Sequence, residues 1–219
     1  KYCNIELAQT ITEKEYFGRG KFSAQLNNRK ICVAGIGAIG SMVCESLARS
    51  GVSIIGIWDD DTVEPGNLCR STYRVSNIGY SKVDAIRNHI VSINPFVEIN
   101  SISTCGYWHS MTGNTHIGPF QYVHGSFYGS VNYSSQQDAI KKLEKYDLII
   151  DCTGSNELLH FLSYAVPEKE VISMCITNHA SNLLLFSSQD GNPYELRKMY
   201  LSKIEQDTKN FYVEGSGCY

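Results

Sequence analysis

Short uninterrupted apolar runs alternate along this chain with longer stretches in which apolar residues recur every three or four positions. Residues 31–34, Ile54–Trp58, 147–151, 171–175 and 182–186 are runs of the first kind. Bounded by turn residues and apolar on both sides, they predict strands covered on both faces. Residues 97–102 alternate instead, as a half-buried strand does. Between the strands lie helical patterns. One follows residue 40 to about Ser50. A second, over 81–93, carries the stripe Val83, Ile86, Ile90 and Ile93 and stops at Asn94-Pro95; a third, over 136–145, turns Ala139, Ile140 and Leu143 inward. A fourth spans Asn156–Ala165 and ends before Pro167. Strand and helix in alternation predict an α/β fold, a mainly parallel sheet with helices on both faces. Right-handed crossovers then bring the C-terminal ends of the strands to one edge.

The pattern breaks in three places. Residues 2–17 place Ile5, Ala8, Ile11 and Tyr16 at helical spacing, and a short segment follows over 21–26. Together they predict an N-terminal helical arm that packs on the sheet or on a second subunit. Arg19, between two glycines, is a surface charge or a group reaching for a phosphate. Residues 105–135 are rich in Gly, Ser, Tyr, Phe and His without a period, which predicts an insertion, an aromatic loop or an irregular hairpin. His109, His116 and His124 lie there, with His89 on the preceding helix, but spacings of seven and eight residues match no compact metal motif. From residue 190 the chain turns polar, with a helical pattern over 194–205 and a crossover or tail over 207–219. Residues 1–219 read as one domain. The start at Lys1 and the stop at Cys218-Tyr219 suggest a piece of a longer polypeptide.

Composition narrows the class. A net charge of −3 with no Lys/Arg block argues against nucleic acid as a general partner. No apolar run reaches membrane-spanning length and no signal peptide heads the sequence. The eight cysteines are scattered without a CxxC pair, so a reduced, cytoplasmic protein is expected rather than a disulfide framework or a zinc site.

The chemistry gathers at the first strand. It runs into Gly35-Ile36-Gly37-Ala38-Ile39-Gly40, a helix follows, and the second strand ends in Asp59-Asp60-Asp61. Strand, glycine turn, helix, strand and acid make a Rossmann-like nucleotide-binding unit. Gly35 lets the chain turn off the strand, Gly37 removes the Cβ that would hold a phosphate away, and Gly40 lets helix and strand approach. The helix N-terminus, beginning at Ala38, presents free N–H groups to an anion. The acid is placed to accept ribose hydroxyls. On these residues alone, a dehydrogenase remains open.

From Asp59 onward the sequence resembles one family in particular. DDDTVEPGNLCR, then IGYSK ending twelve residues after Arg70, and the Asn-Pro after the next helix resemble the ThiF/MoeB/HesA family, the adenylation domains of ubiquitin-activating-type enzymes. The resemblance covers residues 30–156 and extends less clearly to 186. It implies an ATP-dependent adenylyltransferase that activates the C-terminal carboxylate of a ubiquitin-like or sulfur-carrier protein with a Gly-rich tail and releases pyrophosphate. It further implies a homodimer. By the same resemblance Gly35, Gly37, Ala38 and Gly40 admit ATP, Asp59 holds the ribose, and Asn67, Arg70 and Lys82 grip the phosphates and act in catalysis. Charge builds on phosphate oxygens in such a reaction, so fixed donors and cations supply its catalysis.

The sequence also departs from the family. The family's magnesium-binding aspartate falls on Gly154, within DCTGS. Asp61 is then the remaining carboxylate for magnesium, or this chain binds nucleotide poorly. The family's zinc CxxC pairs are missing, so zinc is not expected within these residues. Some relatives form a thioester with a cysteine after the sheet. Cys218, within EGSGCY, has the exposed character of a nucleophile but is equally an ordinary terminal cysteine, whereas Cys175 reads as core. Two other readings stand beside the leading one: adenylation of a small-molecule or tRNA-base carboxylate, as in a dehydratase, and a catalytically inactive scaffold.

Overall fold

The computed structural model describes residues 11–18, 24–102, 121–123, 126–128, 133–177 and 181–207. β1 (Lys30–Ala34) is a central strand, and its successive side chains feed two separate cores. Ile31 and Val33 face one side, where Ile55, Ile57, Leu148 and Ile150 join them under Cys44, Ala48, Val83, Ile86 and Ile90. Cys32 and Ala34 face the other, with Trp58 and Ile149 under Ala139, Leu143, Leu158, Leu159 and Leu162. Alternation across the pleat thus explains why these strands are apolar at every position.

The elements that supply those residues follow in chain order. The arm before β1 contains α1 (Glu13–Phe17) and α2 (Ala24–Asn27), and β1 leads into α3 (Ala38–Arg49), β2 (Ile54–Trp58), α4 (Lys82–Ile93) and β3 (Glu98–Ser101). The second half adds α5 (Tyr133–Leu143), β6 (Leu148–Asp151), α6 (Asn156–Ala165), β7 (Glu170–Thr177), β8 (Asn182–Ser187) and α7 (Pro193–Asp207). Between the halves, β4 (Gln121–Val123) and β5 (Ser126–Tyr128) pair antiparallel as a small hairpin inside the 105–135 insertion. The six-stranded sheet has the order β3-β2-β1-β6-β7-β8, parallel except for β8. The order reverses direction between β1 and β6, where ligands of such sheets bind. A mainly parallel, Rossmann-like α/β sheet is what the alternating pattern predicted.

Local chemistry sets the element ends. Ser81 caps α4 by accepting from the Asp84 N–H, and Ser155 caps α6 by accepting from the Leu158 N–H at 3.2 Å. Thr12 and Glu15 form a capping box on α1, and the Tyr16 hydroxyl donates to the Ile93 carbonyl at 2.6 Å, docking the arm on the end of α4. β7 runs two residues past the predicted 171–175 because Ile176 and Thr177 pair with Leu183 and Asn182 of β8. Within 190–219, Pro193–Asp207 is a helix packed on α6, β7 and β8. No helix among the described residues is long and apolar enough to cross a membrane.

Gly56 of β2 has the ring of Tyr146 against it: a Cβ there would lie 2.4 Å from Tyr146 Cζ. Gly56→Ala is therefore expected to destabilise the fold by about 1–3 kcal/mol through overpacking. That corresponds to a loss of roughly 2–10 °C in Tm, checked by thermal unfolding followed by circular dichroism.

Candidate nucleotide site

The glycine turn opens directly off β1, and its three glycines are held by different constraints. Gly35 has φ +77°, and a Cβ on it would lie 2.5 Å from Thr153 Cγ2. A Cβ on Gly40 would lie 1.8 Å from the Gly35 carbonyl oxygen, so the turn closes only with glycine there. Gly37 is the opposite case. No heavy atom lies within 4 Å of where its Cβ would be, and no side chain caps the α3 N-terminus at this residue. The open side of Gly37, with Ala38 half-buried in the first turn beside it, is a place where an anion can reach uncapped N–H groups.

The acids of β2 are tied to this turn. Asp59 Oδ2 accepts from the Ile36 N–H at 2.9 Å, and Asp59 Oδ1 accepts from the Asp61 N–H at 2.9 Å. Its side chain is almost wholly buried. Burial raises the carboxyl above its ordinary range, while the Lys82 charge and these N–H groups pull it back down. Lys82, buried at the start of α4, donates from Nζ to Asp61 Oδ2 at 2.6 Å and stands 3.8 Å from Asp59 Oδ1. Asp61 is the more exposed partner. The Lys82 N–H also donates to the Asp61 carbonyl at 2.9 Å, and Thr62 bridges Ser81, so the two ends of the 59–82 segment lie together. Tyr73 closes that segment over the turn through a 2.6 Å bond from its hydroxyl to the Ile36 carbonyl. The sequence-predicted set Gly35, Gly37, Gly40, Asp59, Asp61 and Lys82 is therefore brought together at one sheet edge.

Asn67 and Arg70 lie on the short turn starting at Pro65. Asn67 spends its Oδ1 on the Glu64 N–H at 2.8 Å, capping that turn and leaving its amide NH2 as the group available to a ligand. The Arg70 side chain, half-buried, forms no ion pair among the described residues. It is a charged, uncommitted group on a segment fastened to the glycine turn. The carboxylates of Asp59, Asp60 and Asp61 approach within 4.8 Å of one another, an all-oxygen donor set of the kind a hard divalent cation takes.

On the other side of β1, β6 ends in Asp151, which is fully buried. Its Oδ1 accepts from the Thr153 N–H at 3.0 Å and hydroxyl at 2.6 Å, and its Oδ2 accepts from the Ser173 hydroxyl at 2.8 Å. This acid shapes the loop rather than facing a ligand. Gly154 follows with φ +69°, and its carbonyl accepts from Arg197 Nη2 at 2.6 Å. Arg197 went unnoticed in the sequence, where it is one basic residue in a polar helix beside Lys198. His89 pairs with Glu45 across α3 and α4 at 2.8 Å. Cys175 is buried, as its strand position suggested. Arg19, His109, His116, His124 and Cys218 lie outside the described residues.

Compared with known proteins, residues 14–171 match the model of the ThiF family. The chain belongs to the ThiF family. This ThiF-family chain is 28% identical over 207 residues to the ATP-dependent ubiquitin transferase-like protein Cap2 of Enterobacter hormaechei, which spans 92% of this chain and 30% of that protein. It is 30% identical over 165 residues to the adenylyltransferase and sulfurtransferase UBA4 of Debaryomyces hansenii, over 71% of this chain and 31% of that protein. The chain thus spans under a third of the length of these curated relatives. Among solved structures, Escherichia coli tRNA N6-threonylcarbamoyladenosine dehydratase in complex with AMP shares the fold with a TM-score of 0.51 at 19% identity, over 76% of this chain and 62% of that one.

Burial holds the Asp151 carboxyl above its ordinary range. A raised folded-state value means that its contribution to stability is complete below the unfolded value of about 3.9 and is lost as pH rises through the folded one. Asp151→Asn keeps an acceptor for Thr153 and removes this titration. The Tm of the variant relative to wild type is therefore expected to rise from about pH 4 and to level off once pH has passed the raised folded-state value, in paired melting curves.

Proposed function

We propose that the chain is an ATP-dependent adenylyltransferase domain that activates the C-terminal carboxylate of a ubiquitin-like or sulfur-carrier protein with a Gly-rich tail. The observation that carries this reading is the convergence at one sheet edge of an open, uncapped helix N-terminus at Gly37 with Lys82, Asp59 and Asp61. Arg70 stands uncommitted on the segment that Tyr73 fastens to the same turn. Membership of the ThiF family and the names borne by some of its relatives support a substrate of this class. In the reaction a carboxylate oxygen attacks the α-phosphorus of ATP, the bond from that phosphorus to the bridging oxygen breaks, and pyrophosphate leaves with its electron pair. The product is an acyl-adenylate.

The chain's own groups divide this work. Gly37 admits the phosphates to the α3 N–H groups. Lys82 exchanges its contact with Asp61 for a phosphate oxygen as a point charge, and Arg70 offers a planar set of donors to the charge that grows on the leaving group. The Asn67 amide adds a neutral donor. Asp59 keeps the turn in shape and has lone pairs left for a ribose hydroxyl. Asp61, with Asp59 and Asp60 close by, would hold magnesium, which supplies further charge neutralisation on the phosphates. A cytoplasmic homodimer completes the proposal.

ATP–pyrophosphate exchange in the full-length protein with its partner tests the assignment. Arg70→Ala and Lys82→Ala are each expected to lower exchange by about 10²–10³-fold, the usual cost of losing one transition-state donor. Undiminished exchange in both, with folding verified by circular dichroism, removes the assignment. Exchange stimulated by tRNA or a small carboxylate instead of a protein tail moves the substrate to the dehydratase-like class, and no ATP binding at all leaves a scaffold.

A further inference from the structure

Ile36 stands between the first two glycines of the turn and is held in three ways. Its side chain is fully buried in the core that α3 and α4 cover. Its N–H donates to Asp59 Oδ2 at 2.9 Å, and its carbonyl accepts from the Tyr73 hydroxyl at 2.6 Å. Tyr73 lies in the segment that joins β2 to α4, and its ring is almost wholly buried in the same core. Burial raises its phenol far above the ordinary range, and the charge of Asp59 acts in the same sense. The hydroxyl therefore keeps its proton and remains a donor.

A phenylalanine ring would fill the same space. What the hydroxyl adds follows from peptide geometry. The bond between Ile36 and Gly37 is trans, so its C=O and N–H share a plane and point in opposite directions. A donor that fixes the Ile36 carbonyl thus fixes the Gly37 N–H as well, facing away from Tyr73. That N–H donates to nothing among the described residues, and neither does the next one, on Ala38. The adjoining peptide is the one that Asp59 holds. With the sugar at that acid, the phosphate at Gly37 is the one next to the sugar, the α-phosphate that AMP and ATP share. The peptide also carries polarisation: an anion that accepts from the Gly37 N–H makes the Ile36 oxygen a stronger acceptor for Tyr73.

We propose that Tyr73 is a positioning residue of the nucleotide site, which aims the Gly37 N–H at the α-phosphate by holding the Ile36 carbonyl. This role rests on the ATP reading above. Tyr73 touches no ligand itself and acts through one peptide unit.

Calorimetry on the full-length protein with ATP, AMP and adenosine tests it, with folding checked by circular dichroism. Tyr73→Phe is expected to weaken ATP and AMP by about three- to tenfold, the size of one hydrogen bond, and adenosine by under about twofold. In ATP–pyrophosphate exchange the KM for ATP is expected to rise by the same factor while kcat stays within about twofold. A merely structural loss would instead lower the folded fraction, and with it kcat, at an unchanged KM. A smaller loss of AMP affinity in a folded variant, or an equal loss for adenosine, overturns the proposal. Should the variant not fold, NMR of wild-type protein puts the same question. The Gly37 amide and the Tyr73 Cζ resonances are both expected to shift with AMP and not with adenosine. A Gly37 shift without one at Tyr73 defeats this inference and leaves the adenylation reading standing, whereas wild-type protein that binds neither nucleotide defeats both.

Discussion

The carboxylate of Asp59 ties together the parts of the site that the chain delivers separately. It closes the glycine turn through the Ile36 N–H, orders the end of β2 through the Asp61 N–H, and lies within reach of Lys82 at the head of α4. Three elements that contribute to the site are thus fixed to one group whose removal would leave two backbone donors unmet and Lys82 with Asp61 alone. A carboxylate suits this task because it accepts several hydrogen bonds at once, and charge-assisted bonds are stronger than neutral ones. The cost is the desolvation of the acid, opposed by the lysine and the N–H groups. The glycine turn keeps its shape because a charge beside it is buried.

The fold was legible in the sequence where burial is two-sided. β1 and β2 show it best: Ile31 and Val33 serve one core while Cys32 and Ala34 serve the other, so neither face leaves a polar mark and the run reads as a strand. The site was legible where the chemistry is carried by glycine. Gly40 is required by a carbonyl that would lie 1.8 Å from any Cβ, and only the spacing of the turn reveals this in one dimension. Lys82 was legible because its distance from the acids is set by the 59–82 segment.

What escaped has physical reasons too. The length of β7 depends on its partner β8, and pairing of that kind leaves no local pattern in Ile176-Thr177. Asn67 was expected to act on phosphates, but its position also solves a local problem, since its Oδ1 caps the turn that carries it. Arg197 was invisible because a buried arginine and a solvated one look alike in a polar helix. Its meaning comes from Gly154, a residue forty-three positions away along the chain.

The acids on the two sides of β1 do different work. At the β6 end a glycine with φ +69° turns its carbonyl to Arg197, and the buried carboxylate of Asp151 is withdrawn into bonds with Thr153 and Ser173. At the β2 end Asp59 and Asp61 stand beside Lys82, and the carboxylates of Asp59, Asp60 and Asp61 come within 4.8 Å of one another. An acid spent on its own loop is fully desolvated and met by neutral donors, whereas acids gathered beside a lysine keep a charge that a cation offsets. The polar character of this sheet edge is therefore concentrated at β2, next to the glycine turn.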